Sequence, residues 1–185
     1  LILSTVKNLD ILVSISCITY NHKSYVKNCF DGFLLQKTNF NYEILVHDDA
    51  STDGTVEIIH DYERKYPQLF NVIYQKHNQY SRGIRGLHRT FNFNRSKGKY
   101  IAVCDGDDYW TDPLKLQKQV DFLEQNKKFS FTFHAVNVKN ELAGIKYSYP
   151  KPPNSILGFK QIMNNHYIPT CSLLFNKSFL PVPMP

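Results

Sequence analysis

The sequence lacks several features that define large protein classes. None of its apolar runs approaches the roughly 20 residues that a membrane-spanning helix needs. Its lysines and arginines are scattered, so the formal net charge of +6 is compatible with an anionic ligand but predicts no nucleic-acid partner. There is no internal repeat and no low-complexity segment. These absences favour an ordinary globular fold.

Cysteine is scarce and widely spaced. The four cysteines form no C-x-x-C pair, which disfavours the common zinc and dithiol motifs. Three of them lie in apolar segments, so we predict buried free thiols in a reducing compartment, and hence a cytoplasmic protein. The first predicted strand is not followed by G-x-G-x-x-G, and the chain has no G-x-x-x-x-G-K. Dinucleotide oxidoreductases and P-loop enzymes are therefore disfavoured.

The sequence does contain apolar residues in regular patterns. Hydrophobic residues make up 42% of the 185 positions, which is enough for the core of one domain. The patterns in the first half predict strands at 12–18, 42–47, 70–74 and 100–104 and a helix at 23–36, with a second helix that begins in the 48–55 loop and is ended by Pro67. Ser24 or Asn21 is expected to cap the first helix. This β-α-β-α-β order predicts parallel strands joined by right-handed crossovers.

The second half is less regular. The polar and basic stretch 76–98 is expected to contain a helix in its second half, and Asp112-Pro113 predicts the start of another helix. Residues 129–136 alternate between apolar and polar side chains, which predicts a half-buried strand that is antiparallel or at an edge. The remaining expectations are a loop or ragged hairpin over 137–156, a short helix near 158–165 and a strand near 168–175.

Two clusters of aspartate follow predicted strands. Asp105, Asp107 and Asp108 follow the fourth strand, and Asp48 and Asp49 follow the second. Because the strands are parallel, we expect both clusters at the carboxyl edge of the sheet, where such folds bind ligands. Neighbouring carboxylates repel one another unless a cation compensates them, and their oxygens suit Mg²⁺ or Mn²⁺. For the first cluster taken alone, an acidic turn that only ends a strand is the alternative.

Four motifs stand in a fixed order along the chain. They are Ser16 to Asn21, Glu43 to Thr55, Gly98 to Ile101, and Asp105-Gly106-Asp107-Asp108. In this order and spacing they resemble the family 2 glycosyltransferases, from about Val13 to the end of the chain. The resemblance implies an α/β fold of the GT-A type, a Rossmann-like three-layer α/β/α sandwich around a mixed, mostly parallel sheet. It also implies inverting transfer of a sugar from a nucleotide-sugar donor.

The resemblance assigns nucleotide-sugar contacts to residues on three loops. Tyr20 matches the aromatic residue that packs on the base, with Thr19 and Asn21 beside it, and an aromatic face suits base stacking. Asp49 matches the carboxylate that accepts the uracil imide N–H, which makes UDP the implied nucleotide. Arg89 matches an arginine that reaches the base or the phosphates.

Two neighbouring assignments stay open. Arg82 and Arg85 are alternatives to Arg89, because His88-Arg89-Thr90 departs from the family's usual Ala-Arg-Asn. Asp48 is expected to hold its loop or to cap the following helix.

The resemblance also implies a metal site, since Asp105-x-Asp107 is similar to the family's D-x-D motif. Asp107 is expected to bind Mn²⁺ or Mg²⁺ directly, and Asp105 to contact the ribose or a metal-bound water. Asp108 would support these ligands or face the sugar. Diphosphate oxygens would complete the coordination, and the ion would stabilise the charge on departing UDP.

Inverting transfer also needs a general base that deprotonates the acceptor hydroxyl. No Asp or Glu follows Glu141. We therefore expect this base beyond residue 185, and expect residues 1–185 to be one GT-A domain that binds nucleotide-sugar but transfers it poorly.

The remaining expectations concern partners and location. The acceptor would be a carbohydrate, a lipid-linked compound or another hydroxyl compound in surface polysaccharide or glycoconjugate synthesis. Peripheral association of the full-length protein with the inner face of the membrane is left open. A non-catalytic module that binds nucleotide-sugar or carbohydrate on the same fold is the alternative function. Trp110 is expected in the core, with packing under the sugar as the alternative, and His22, His47 and His166 receive no catalytic role.

Overall fold

The structure is a computed structural model that describes residues 10–140, 144–149, 156, 158, 160 and 168–180. The first four strands are Ile11–Thr19 (β1), Asn41–Asp48 (β2), Phe70–Tyr74 (β3) and Tyr100–Val103 (β4). The next four are Phe131–Thr132 (β5), Val136–Asn140 (β6), Ile145–Tyr149 (β7) and Leu174–Asn176 (β8). His166 and most of the helix predicted near 158–165 lie outside the described residues.

The described helices are Val26–Leu34 (α1), Thr55–Lys65 (α2) and Lys115–Gln125 (α3). A π-helical turn at His88–Asn92 continues into a 3₁₀ turn at Phe93–Arg95, and we call the two together the 88–95 segment. No helix in the described part of the chain has the length and apolar character required to cross a bilayer.

The central sheet has the strand order β3-β2-β1-β4-β8-β5. β1 pairs in parallel with β2 and with β4, and β2 pairs in parallel with β3. β8 and β5 add antiparallel pairs on the other side of β4. The prediction of a mixed, mostly parallel sheet is therefore confirmed. β6 and β7 form a separate antiparallel hairpin, as in the hairpin alternative for residues 137–156.

One face of the sheet packs against the three helices. Alternate residues of β1, namely Val13, Ile15 and Cys17, are fully buried in this core. The helices bury stripes at the predicted positions: Val26, Cys29, Phe30 and Phe33 in α1, and Leu116, Val120 and Leu123 in α3. The side chain of Trp110 lies in the same core, as expected, where its Nε1–H donates to the carbonyl of Cys171 at 2.7 Å.

The 88–95 segment covers the opposite face. Its Asn92 donates from Nδ2 to the carbonyls of Cys17 and Leu45, at 3.1 and 3.0 Å. The fold therefore has three layers, and the third is thin because an irregular double turn takes the place of a full helix. The helix predicted in the basic stretch is present only in this short form.

α1 begins later than predicted, and neither predicted residue caps it. The helix starts at Val26, and Tyr25 occupies the N-cap position without a side-chain cap. Asn21 has a φ of 55° and accepts the N–H of Thr52 instead, at 2.8 Å. Its side chain therefore joins two loops and is unavailable to the helix.

α3 also begins later than predicted, at Lys115. Asp112 Oδ1 accepts the N–H of Leu114 at 2.9 Å, which forms a separate turn before the helix. Asp112 still satisfies a backbone donor near the helix start, but Pro113 is not the first helical residue.

The strand predicted over 129–136 is mostly wrong, because β5 has only two residues. Its partner β8 is short, so the pairing is limited to Phe131 with Phe175 and Thr132 with Leu174. β5 is antiparallel and lies at the sheet edge, as predicted. The strand predicted near 168–175 is shortened because a 3₁₀ turn at Thr170–Ser172 occupies its first half.

Candidate functional site

Both aspartate clusters are attached to the end of β1. The N–H of Gly106 donates to the carbonyl of Ile18, and the N–H of Asp49 donates to the carbonyl of Thr19, each at 2.9 Å. The two acceptors are consecutive residues, so one peptide unit separates the anchoring points of the two turns. The prediction that both clusters lie at one edge of the sheet is confirmed.

The first acidic turn, residues 105–108, packs tightly against the loop that follows β1. A Cβ atom at Gly106 would lie 2.6 Å from Cγ2 of Thr19 and 2.8 Å from Nδ1 of His22. Contacts this short are not tolerated, so only glycine allows the turn to approach β1 so closely. The Nδ1 atom of His22 is buried and has no hydrogen-bond partner in the described structure.

The three aspartates of this turn have different surroundings. Asp105 Oδ1 lies 2.9 Å from His88 Nε2, and its side chain stays 38% exposed. Asp107 is exposed and Asp108 is half-buried. Burial, together with the charges of Asp107 and Asp105, raises the pKa of Asp108. The turn therefore concentrates negative charge at an accessible edge, which suits a cation.

Buried thiols support this turn from the core side. The Sγ atoms of Cys29 and Cys104 lie 3.5 and 3.6 Å from the carbonyl oxygen of Asp105. Burial raises the pKa of both thiols, so each keeps the proton that it donates. All four cysteines of the chain are free and buried, as predicted.

The second acidic turn, residues 48–51, is held together by Asp48. Its carboxylate accepts the hydroxyl of Thr19 and the N–H of Ser51, each at 2.9 Å. Ala50, which lies in this turn just before Ser51, has a φ of 66°, which is unusual for a residue with a side chain. The expected role of Asp48 in holding its loop is confirmed.

Asp49 is buried beneath the following loop. Its side chain is 1% exposed, and its two oxygens accept the N–H groups of Gln79 and Tyr80 at 2.7 and 3.0 Å. The Nε2 of His47 lies 3.5 Å from Asp49 Oδ1, and burial lowers the pKa of His47, which favours a neutral imidazole. Asp49 therefore fixes the loop that contains Gln79 and Tyr80, and its contact with a base stays a prediction.

The loop after β1 offers accessible aromatic rings, and Tyr20 is the one directly next to the strand. Tyr20 is 44% exposed. Its predicted companions shape the loop, because the hydroxyl of Thr19 is used by Asp48 and the side-chain oxygen of Asn21 is used by Thr52. Of these three residues, Tyr20 therefore presents the surface that could stack on a ligand.

Arg89 carries unpaired donors. Its Nε and Nη2 atoms are buried and have no hydrogen-bond partner in the described structure. The guanidinium of Arg85, by contrast, stacks over the ring of Tyr80 at 4.3 Å and donates to the Tyr80 carbonyl at 2.8 Å. Arg82 is exposed. Buried donors without partners are rare, so of the three arginines Arg89 has the donors best suited to an anionic ligand, and its contact with one stays a prediction.

Sequence reasoning did not predict that His88 and Asn92 contact β1 beside the first acidic turn. Nδ1 of His88 lies 2.8 Å from Oγ of Ser16, and Nδ2 of Asn92 donates to the same oxygen at 3.0 Å. Both residues are separated from Ser16 by more than 70 positions, so no local pattern could connect them. The unusual histidine before Arg89 is the signal that was available.

The residues of the first acidic turn suit a divalent ion without enclosing one. Among the described residues, no three His, Cys, Asp or Glu side chains form a group that could hold a metal ion. Asp105 and Asp107 supply the hard oxygen ligands that Mg²⁺ and Mn²⁺ prefer. An ion bound by so few protein ligands would take its remaining oxygens from a bound diphosphate.

Comparison with known proteins identifies the family. The model of a family described as Glycosyl transferase family 2 matches residues 14–181. This chain belongs to glycosyl transferase family 2. The match includes both acidic turns and the 88–95 segment.

Two curated relatives of this family 2 chain are informative. The uncharacterized protein Rv1520 of Mycobacterium tuberculosis is 39% identical over 170 residues, which cover 89% of this chain and 47% of the relative. The UDP-Glc:alpha-D-GlcNAc-diphosphoundecaprenol beta-1,3-glucosyltransferase WfaP of Escherichia coli is 34% identical over 141 residues, which cover 76% of this chain and 53% of the relative. The chain thus spans about half the length of the curated relatives it matches.

Solved structures show the same fold. TarS 1-349 of S. aureus in complex with UDP has a TM-score of 0.64 and 22% identity, covering 92% of this chain and 48% of TarS. The mannosyltransferase PcManGT of Pyrobaculum calidifontis in complex with GDP-Man and Mn²⁺ has a TM-score of 0.57 and 19% identity, covering 73% of this chain and 40% of that protein. At these identities the likeness concerns the fold alone, and the GT-A fold expected from the sequence is confirmed.

Proposed function

We propose that this chain binds a UDP-sugar together with Mn²⁺ or Mg²⁺ at the carboxyl edge of its sheet. In the full-length protein, the sugar would be transferred with inversion to a hydroxyl acceptor. The observation that carries the proposal is the junction at β1, where the consecutive carbonyls of Ile18 and Thr19 anchor the two acidic turns. A nucleoside diphosphate has a base and a charged diphosphate. At this junction the second acidic turn would face the base, and the first would face the diphosphate.

The first acidic turn would bind the diphosphate side of the donor. Asp107 would hold the metal ion, and Asp105 would contact the ribose or a metal-bound water. Asp108, with its raised pKa, would support these ligands or face the sugar. When bound, the ion supplies Lewis-acid stabilisation of the negative charge that develops on departing UDP.

Three further residues would bind the nucleotide. Tyr20 would stack its exposed ring on the base, which is worth about 1–3 kcal/mol per base in comparable sites. Asp49 would accept the uracil imide N–H with lone pairs that its backbone donors leave free. The unpaired Nε and Nη2 of Arg89 would form charge-assisted hydrogen bonds with phosphate oxygens.

The finer biological assignments extend this proposal. Residues 1–185 would form one GT-A domain that holds the donor part of the site. The acceptor would be a carbohydrate or lipid-linked hydroxyl compound of surface polysaccharide synthesis, and the name of WfaP, which describes a diphosphoundecaprenol acceptor, supports this class. A cytoplasmic location, including the inner face of the membrane, agrees with four free thiols.

Calorimetric titration of the chain with UDP, GDP and dTDP, each with and without Mn²⁺, tests the proposal. We expect UDP to bind most tightly and Mn²⁺ to strengthen its binding. Asp107→Ala should weaken Mn²⁺-dependent UDP binding by about tenfold or more, which corresponds to about 1.4 kcal/mol.

Asp121→Ala is the matched control. Asp121 is an exposed aspartate of α3 whose side chain accepts from Gln117, and its loss should leave UDP binding unchanged. Metal-dependent UDP binding that survives unchanged in Asp107→Ala would contradict the proposal.

A further inference from the structure

A chain of hydrogen bonds runs from the 88–95 segment to the first acidic turn. Asn92 Nδ2 donates to Ser16 Oγ at 3.0 Å, and Ser16 Oγ lies 2.8 Å from His88 Nδ1. His88 Nε2 lies 2.9 Å from Asp105 Oδ1. Ser16 and Asn92 are fully buried, so solvent does not compete for the hydrogen bond between them.

The orientation of the Asn92 amide follows from its partners. Nδ2 faces the carbonyls of Cys17 and Leu45, which only accept hydrogen bonds. On the other side, Oδ1 of Asn92 accepts from the guanidinium of Arg95, with Nη2 at 2.8 Å. The nitrogen of the amide is therefore the atom that meets Ser16. Its two hydrogens are shared among three oxygens, those of Ser16, Cys17 and Leu45, and because an amide nitrogen does not accept hydrogen bonds, Ser16 Oγ can only accept from it.

This orientation allows one consistent direction for the remaining hydrogen bonds of a neutral imidazole. Because Asn92 donates to Ser16 Oγ, the hydroxyl proton of Ser16 is free to point at Nδ1 of His88. A neutral imidazole whose Nδ1 accepts carries its proton on Nε2, and that proton is directed at Asp105.

We propose that His88 is a positioning residue, held in its Nε2–H tautomer by Ser16 and Asn92, that fixes the Asp105 carboxylate for contact with the donor complex. This inference rests on the proposed function. With Oδ1 tied to His88 and the side chain still 38% exposed, Asp105 is restrained without being withdrawn from a ligand. A carboxylate restrained before binding loses less conformational entropy when the ligand arrives.

The tautomer can be measured without any ligand. The ¹⁵N chemical shifts of the His88 ring, recorded on the full 185-residue chain at mildly alkaline pH, distinguish a protonated from an unprotonated nitrogen. We expect a proton on Nε2 and none on Nδ1 in the wild type, and a mixture of tautomers in Ser16→Ala. A wild-type ring with its proton on Nδ1 would overturn the inference.

The effect on binding is measured by titrating Mn²⁺ and UDP into His88→Phe and His88→Gln. His88→Phe keeps a ring against Phe93, whose centroid lies 6.2 Å from that of His88, but offers no donor to Asp105. We expect about 10- to 100-fold weaker binding, the usual effect of removing a residue that orients a metal-site carboxylate. His88→Gln supplies an amide N–H near the position of Nε2 and should recover part of the affinity.

His60→Gln on α2 is the control for loss of a histidine, and it should bind like the wild type. If His88→Phe does not fold, the comparison of His88→Gln and Ser16→Ala with the wild type still decides the matter, since both should weaken binding. If the wild type binds UDP and every His88 and Ser16 variant binds it with the same affinity, the positioning role alone is overturned. A wild type that binds no UDP would overturn the proposed function, and the positioning role with it.

Discussion

At the scale of single residues, several polar side chains near the site are already used to hold the loops. Thr19 donates to Asp48, Asn21 accepts from Thr52, and Asp49 accepts from two backbone N–H groups. Substituting these residues would change loop conformation and ligand contacts together. Tyr20, whose ring is exposed, is a cleaner probe of a direct ligand contact.

The space around Gly106 gives a prediction at this scale. In Gly106→Ala the new Cβ would lie 2.6 Å from Thr19 Cγ2, so the acidic turn must move away from β1. We expect a loss of about 1–3 kcal/mol in the free energy of unfolding, as for other overpacked sites, and weaker UDP binding. Urea unfolding and UDP titration measure the two effects.

Gly83→Ala is the comparison variant for this prediction. A Cβ at Gly83 meets no atom within 4 Å, and its φ of 92° adds backbone strain alone. It should lower stability by about 1 kcal/mol without affecting UDP binding. Equal UDP affinity in Gly106→Ala and the wild type would show that the turn tolerates displacement.

The residue scale also shows where sequence reasoning stops. Asp105, Asp107 and Asp108 could be found because they follow an apolar strand directly. The contact of His88 with Ser16 joins positions 72 residues apart, and it forms only because the third layer is folded onto β1. Local patterns carry no information about such a pair.

At the scale of elements, α3 contains a buried cation. Lys115 is 4% exposed, with Nζ 2.8 Å from Gln119 Oε1 and 4.0 Å from the centroid of the Trp110 ring. Burial lowers the pKa of Lys115 to about 8. The folded protein therefore bears the cost of a charged amine at neutral pH, and the ring and the amide offset it only in part.

This cost predicts a pH dependence of stability. Between about pH 8 and the ordinary lysine pKa of about 10.4, the unfolded chain binds more protons than the folded one, so this group makes stability rise with pH. Lys115→Met should raise the free energy of unfolding by about 1–3 kcal/mol near pH 7, since each pKa unit is worth about 1.4 kcal/mol. The gain should shrink through the same pH range.

Urea unfolding of both proteins across this pH range provides the measurement. Lys118→Met is the matched control, because Lys118 lies on the same helix, is 63% exposed and pairs with Asp112. Its effect should stay within about 1 kcal/mol at every pH. If Lys115→Met lowered the free energy of unfolding by the same amount at every pH, the prediction would be wrong. The Lys115 side chain would then stabilise the fold by packing, and its charge would carry no cost.

The elements differ in how far the sequence predicts them. β3 matches its predicted bounds, and β1 and β2 differ from theirs by one residue at either end, because buried strands between helices carry long apolar runs. β5 and β8 are shorter than predicted, because their pairing is limited to two residue pairs and a 3₁₀ turn at Thr170–Ser172 occupies the start of the second predicted strand. The 88–95 segment was predicted only as a helix, because nothing local distinguishes a π-turn from an α-helix.

At the scale of the whole molecule, the chain spans about half the length of its curated relatives. We expect residues 1–185 to bind UDP-sugar without transferring the sugar to an added acceptor, because no Asp or Glu follows Glu141 to serve as general base. Titration with UDP-glucose, followed by assays of UDP release with and without acceptor, measures binding and transfer separately.

Full-length protein is the control in this experiment. Efficient transfer by residues 1–185 alone would place the base within this chain and contradict the expectation. Binding without transfer by the full-length protein as well, tested with several acceptor classes, would favour the non-catalytic binding module.

The attachment of both turns to β1 also bears on how such a protein can diverge. Strand residues advance by about 3.3 Å each, so the carbonyls of Ile18 and Thr19 fix the distance between the two turns. Insertions in the helical crossovers leave this distance unchanged, whereas one residue inserted between the two carbonyls would increase it and displace one turn relative to the other. We therefore expect this fold to tolerate longer or different sequences in most loops better than an insertion at this single peptide unit.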